Sequence, residues 1–370
     1  MTAAQDVTAG ARNLLVTCAE VTGAESLLIV REDPALGWYD TEVSEAVAAE
    51  ARSLGLAPEF LDVGKPSLAP EPRVEAAIAK HDCIIYFARL GDQDRFAEPV
   101  PGKRFVMCYL RDTAMLASPF GRTDHRALVA FKEAVNDVLF GATRIEIRCP
   151  LGTEIAGAVP AATLDGSGDV SVRRFPLGVP QPMEAAAFSG RVALARYLTP
   201  TGSRPYEPPC LDLAHTVFAE VEAGRIVRFT GEAGEVARIA AHYDRVAETF
   251  GIERNAVHSW HAGIHPGCAY TGDVAADPDR WSNSVFNNPR CLHFHTCGNY
   301  APGEISWNLF DHTVIVDGVA LWDTGRLRPE AFPQTRACLN AWPDLTPLFA
   351  HPAETIGLPA EELSVTQDFG

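Results

Sequence analysis

The sequence predicts an α/β protein in two parts: an open parallel α/β sheet domain over residues 1–150, and an α+β domain over residues 151–370 that carries a metal site. Three observations lead there. Through the first 150 residues, short apolar runs alternate with helix-spaced segments, the pattern of a parallel sheet with helices on its faces. From about residue 150, Gly, Pro and Asp become frequent and turns separate the strand-like runs. At 370 residues the chain is also longer than one hydrophobic core usually serves.

Taken in order, SLLIVRE (26–32) is an apolar run of strand length. Residues 40–56 follow with Val43, Val47, Ala51 and Leu54 near one helical face, and Asp40 or Thr41 as N-cap. PEFLDV (58–63) is a second strand, 73–80 a helix, CIIYFA (83–88) a third strand and KRFVMCYL (103–110) a fourth. A helix over 125–139 and the strand ATRIEIRC (142–149) complete the expected parallel unit. No GxGxxG opens a helix after the first strand, so a dinucleotide site has no support. Beyond residue 150, VSVRRFPLGV and GRVALARYL read as strands, and HTVFAEVEAGRIVRFTG as a hairpin turning at Glu222-Ala223-Gly224. A long amphipathic helix over 232–250 follows, with Val236, Ile239, Ala240, Tyr243, Val246 and Ala247 on one stripe.

Composition narrows the function. The formal net charge is −17, from 31 basic and 48 acidic residues, and Lys occurs only four times. A diffuse acidic balance opposes a nucleic-acid groove or an anionic membrane surface, which need clustered cations. Nine Cys without a CxxC pair fit neither a disulfide scaffold nor a four-thiolate zinc site. The N-terminus lacks a basic segment followed by an apolar one, and no run of 18 apolar residues occurs. The expectation is a cytoplasmic homo-oligomer with reduced thiols, acting on a small-molecule substrate.

The chemistry should lie where His concentrates. Six of the eleven His (His258, His261, His265, His293, His295 and His312) fall within 55 residues, where an even spread would put one or two. His293-Phe294-His295 lies in a strand-like run, and alternate strand residues face one side, so both imidazoles project together. His258, His261 and His265 follow HxxHxxxH spacing, but Gly263, Pro266 and Gly267 oppose a helix there. One or two of the three are therefore expected as ligands or acid/base groups. Glu304 and Asp311 are the carboxylates at hand, whereas Asp317-Gly318 reads as a turn. Two His and one carboxylate leave open positions on a non-haem iron, and the same ligand types suit a hydrolytic zinc or manganese. No GxSxG nucleophile elbow is present, and GSG (166–168) lacks a strand-to-helix context. Cys291 and Cys297 flank the HxH and are more often core residues than ligands. Trp260, Trp281, Trp307 and Tyr300 crowd the same stretch, as pocket wall or core.

The order of segments resembles the superfamily of aminopeptidase T-type metallopeptidases, which includes 2,5-dihydroxypyridine 5,6-dioxygenase. The landmarks are the N-terminal α/β unit, FPLGVPQPMEAAAFSGRVAL, AGRIVRFTG with the helix after it, HAGIHPG, CLHFHTCGN and the VIVDG hairpin. The resemblance implies one ligand at Ser259, or at His258 one position away, and another at His293 or His295. It implies a third at an HxD motif, where this chain has Glu304-Ile305-Ser306. The Glu of the peptidases near PLGVPQP is also missing, so a two-metal peptidase site is short of carboxylates. The implied centre is therefore mononuclear, most simply Fe(II), on His258, His293 or His295, and Glu304. His261, Asp311 and His312 are the expected acid/base groups. The leading expectation is a dioxygenase joining O2 to a small hydroxylated aromatic or N-heterocyclic substrate. The alternatives are a metal-dependent amidase or peptidase, with Glu304 or Asp311 as base, and a non-catalytic descendant.

Overall fold

A computed structural model describes residues 3–69, 71–93, 95–159, 170–299 and 303–359. The GSG at 166–168, Tyr300 and the end of the C-terminal tail lie outside the described residues. The chain divides into two compact units. Unit 1 comprises Met1–Val129, Asp169–Gly178 and Gly202–Pro205; unit 2 comprises Ala130–Gly168, Val179–Thr201 and Tyr206–Gly370.

Unit 1 is built on the predicted run of strands β1 (Leu27–Glu32), β2 (Glu59–Val63), β3 (Cys83–Phe87) and β4 (Arg104–Cys108). Their neighbours pair in parallel, and β3 is buried along its whole length, as a strand covered on both faces must be. The helix Thr41–Ser53 after β1 packs Val43, Val47 and Ala51 inward and turns Glu42, Glu45 and Arg52 out.

The next two strands leave for the other unit. β5 (Arg144–Arg148) and β6 (Glu154–Ala158) pair antiparallel in the second sheet. This corrects the expectation that 142–149 closes the parallel unit. The physical reason is readable in the residues: Ile145 and Ile147 are buried while Arg144 and Arg148 are exposed, the alternation of a sheet with one wet face. The strand that does complete the parallel sheet is β7 (Arg173–Phe175), expected among the turn-rich strands and found beside β4. The five-stranded order is β2-β1-β3-β4-β7.

Unit 2 holds the remaining strands, in one sheet with β5 and β6. They are β8 (Met183–Glu184), β9 (Phe188–Pro200), β10 (Leu211–Glu222), β11 (Arg225–Thr230), β12 (Val257–Ala262), β13 (Cys291–Thr296), β14 (Ile305–Phe310), β15 (Thr313–Val316), β16 (Val319–Asp323) and β17 (Arg326–Leu327). The hairpin between β10 and β11 turns at Ala223 and Gly224, both at positive φ, and that between β15 and β16 turns the same way at Asp317 and Gly318. Two left-handed turn residues match the right-handed twist of the flanking strands. The Asp317 carboxylate also accepts hydrogen bonds from the backbone N–H of Thr143 and Arg144. The long helix, Ala233–Phe250, starts where Glu232 accepts from the N–H of Glu235 and ends at left-handed Gly251. The path β9-β14-β13-β12-β8 forms one end of the sheet's strand order and carries most of the His-rich segment. No described helix is long and apolar enough to cross a membrane.

Candidate metal centre

The site follows from strand register. In β12 and β13, His261 stands opposite His293 and Ser259 opposite His295. Residues opposite one another on neighbouring strands share a face, and so do residues two apart on one strand. His261, His293 and His295 therefore project to one side of the sheet. Their ligand nitrogens lie within 4.8 Å of one another, and the three side chains are only 2 to 5% exposed. Trp260, Phe294 and Trp307 alternate with them and point the other way, into the core. There the Trp307 indole N–H reaches Tyr243 Oη on the long helix, 2.6 Å away.

Contacts around the rings hold them. His261 Nδ1 lies 3.1 Å from Pro180 O, so that nitrogen donates and Nε2 keeps its lone pair. A second-sphere carbonyl on the far nitrogen is the usual way a metal-ligating imidazole is oriented. The His261 and His295 Nε2 atoms are 3.1 Å apart. Two nitrogens bound to one ion at about 2.1 Å stand roughly 3.0–3.4 Å apart. The spacing of this pair fits a shared ion. The His293 ring stacks on Phe286 at 3.9 Å between centroids, with 20° between planes.

The same face continues into β14 and β9. Ser306 lies opposite His295, Asn308 opposite His293, and Thr199 opposite Ser306. Asn308 Nδ2 donates to Thr199 Oγ1 at 3.1 Å, which turns its carbonyl oxygen the other way. That oxygen and Ser306 Oγ are buried and have no hydrogen-bond partner among the described residues. Sequence reasoning passed over Asn308, Thr199, Pro180 and Phe286. The signal for Asn308 was present: two polar residues at period two inside the apolar run ISWNLF mark a polar stripe on a buried strand.

The three-His group takes in none of the other expected site residues. His258 is half-buried, with Nδ1 2.9 Å from Ser259 Oγ, and burial lowers its pKa against the opposing pull of Glu184. Glu304 is fully buried; its N–H donates to Thr296 O and Cys297 O, and its own carbonyl accepts from Tyr206 Oη. Asp311 is committed to structure: its carboxylate meets Arg290 Nε at 2.5 Å and accepts from Leu358 N at 2.6 Å. His312 is 0% exposed, neither ring nitrogen has a hydrogen-bond partner among the described residues, and burial holds its pKa down to about 3. Burial pushes the Cys297 thiol up to about 12 and raises that of Cys291, and neither belongs to the three-His group. Ser259, where the resemblance implies a ligand, does face the site, as does Ser306, and neither side chain is one a divalent metal favours.

The fold has solved counterparts. The structure superposes on 2,5-dihydroxypyridine dioxygenase from Pseudomonas putida with a TM-score of 0.60 at 12% identity, over 91% of this chain and 100% of that one. The chain shares that enzyme's fold. AmpT from Thermus thermophilus, an aminopeptidase T, aligns at a TM-score of 0.47 and 12% identity, over 87% of this chain and 99% of that one. No protein-family model and no curated protein matches the sequence.

Proposed function

We propose that this protein is a mononuclear metalloenzyme whose ion is held by His261, His293 and His295, and that it is an Fe(II)-dependent dioxygenase of small hydroxylated aromatic or N-heterocyclic compounds. The observation that carries the reading is the buried convergence of three imidazoles within 4.8 Å, one of them oriented through Pro180 O. A divalent ion there supplies Lewis acidity and, as Fe(II), one-electron chemistry. Three neutral ligands leave its charge uncompensated, which favours an anionic partner such as a deprotonated ring hydroxyl. Asn308 Oδ1 then accepts a hydrogen bond from a donor on the substrate, and Ser306 Oγ donates or accepts beside it. The fold shared with a dioxygenase supports the reading.

The hydrolytic alternative needs a general base beside the bound water. Asp311 is tied to Arg290, and Glu304 is not among the grouped residues. Metal analysis with oxygen uptake tests the proposal. Wild type is expected to hold about one iron per chain and to consume O2 with dihydroxypyridines. His261→Ala, His293→Ala and His295→Ala should lose the metal, while His258→Ala and Glu304→Gln keep it. Zinc in the purified protein with anaerobic hydrolysis, or full occupancy in the three Ala variants, overturns it.

A further inference from the structure

Unit 1 contains a cation that nothing in the metal centre uses. Arg111 lies just beyond β4 and is 0% exposed. None of its three guanidinium nitrogens has a hydrogen-bond partner among the described residues. Its surroundings are aromatic: the guanidinium carbon stands 4.5 Å from the Tyr39 ring centre, 4.9 Å from Trp38 and 6.0 Å from Tyr109. Neither phenol hydroxyl serves it, because Tyr39 donates to Cys108 O and Tyr109 to Asp92 Oδ1. The buried carboxylates of the unit that face this edge are engaged too. Glu32 is held by Arg89 through Nε and Nη2, and Asp92 lies 3.6 Å from Arg95. Guanidinium cannot shed its proton to escape burial. Ring faces offset only part of the cost of burying an unpaired charge.

Position reinforces chemistry. In the order β2-β1-β3-β4-β7, connections run to opposite sides from β1 and β3, and such a reversal opens a crevice at the carboxyl ends of the strands where ligands bind. Trp38 and Tyr39 follow β1, and Arg111 follows β4, so all sit at that edge. A cavity of about 460 Å³ opens beside Tyr39, lined by Glu32, Val63 and Phe87 at the strand ends and by Asp33, Asp40 and Asp62; Arg111 and Trp38 are not part of its lining.

We propose that Arg111 is the anchor of an anion site in unit 1 that takes the carboxylate of a small flat ring. The planar fork of donors matches the two carboxylate oxygens, and Trp38, Tyr39 and Tyr109 offer faces to the ring. With the guanidinium fully covered, entry requires the segment around Trp38 and Tyr39 to lift; residues 33–37 beside it are already exposed. The inference does not depend on the metal reading.

The test uses the full chain with chelator present, so that no metal can hold the probe. Benzoate and inorganic phosphate are titrated by calorimetry and by thermal melts against wild type, Arg111→Met and Arg111→Lys. Benzoate should bind wild type and raise its Tm. Arg111→Met should melt no lower than wild type without ligand, since an unpaired buried charge is gone, and should bind benzoate at least tenfold more weakly. Arg111→Lys, which keeps charge but not the fork, should also bind tenfold or more weakly. Should Arg111→Met fail to fold, the wild-type titration and Arg111→Lys decide. No benzoate binding to wild type overturns the proposal, as does equal binding to the variants. An Arg111-dependent response to phosphate alone overturns the carboxylate assignment.

Discussion

The Nδ1–H of His261 is donated to Pro180 O, so a single backbone carbonyl determines which nitrogen of that ring faces His295. Beside it, Asn308 should act on the substrate and not on the metal. Asn308→Ala is expected to keep full metal occupancy and to bind a hydroxylated heterocycle about 3- to 10-fold more weakly, the worth of one hydrogen bond. Loss of metal in that variant would refute the division of labour. His312 gives a stability prediction with a definite sign. Its pKa is about 3 when folded against an ordinary value near 6.5, so the unfolded chain binds the extra proton between those limits. Stability is then complete above about pH 6.5 and falls with acid down to about pH 3. His312→Leu should shrink the drop in Tm between pH 7.5 and pH 5, and an unchanged drop would mean that the ring titrates normally. At this scale the sequence was half legible. Clustering located the His, but which of His258 and His261 faces the group depends on pairing with a strand more than thirty residues away, where the register shifts between Val257 and Ser259.

Among the elements, β12 and β13 hold the site through their approach at Gly263. A Cβ there would stand 2.1 Å from Asn288 O, and Gly263 N already donates to Cys291 O. Gly263→Ala should therefore cost about 1–3 kcal/mol and weaken metal binding as β12 shifts against β13. Denaturant melts with metal titrations check both, and undiminished affinity would show the two strands to be uncoupled. Asp311→Ala should cost about 3–5 kcal/mol, since it strands Arg290 beside a buried position, and should leave metal occupancy intact. Occupancy lost at unchanged stability would return Asp311 to the chemistry. Strands were legible here as apolar runs and turns as Ala-Gly and Asp-Gly pairs. Sheet membership was not, because β5 and β7 find partners far along the chain, and local pattern does not name partners.

For the molecule as a whole, a bound ion should act as a ligand of the native state. At a free concentration a hundredfold above Kd it adds about 2.7 kcal/mol of stability, seen as a rise in Tm that chelator reverses and that His293→Ala lacks. A Tm indifferent to Fe(II), Zn(II) and Mn(II) in wild type would count against the centre. The broad class was plain in the alternating runs of residues 26–110, whereas the return of the chain to unit 1 at β7 was not. That return has a consequence for synthesis on the ribosome. The parallel sheet cannot be completed when β4 emerges; its last strand arrives some 65 residues later, at Arg173–Phe175. Until then the β4 edge is an open row of donors and acceptors, the kind of surface that invites pairing with another chain. Nascent chains stalled between residues 110 and 170 should accordingly be the ones that chaperones hold, and release should follow once β7 is clear of the exit tunnel.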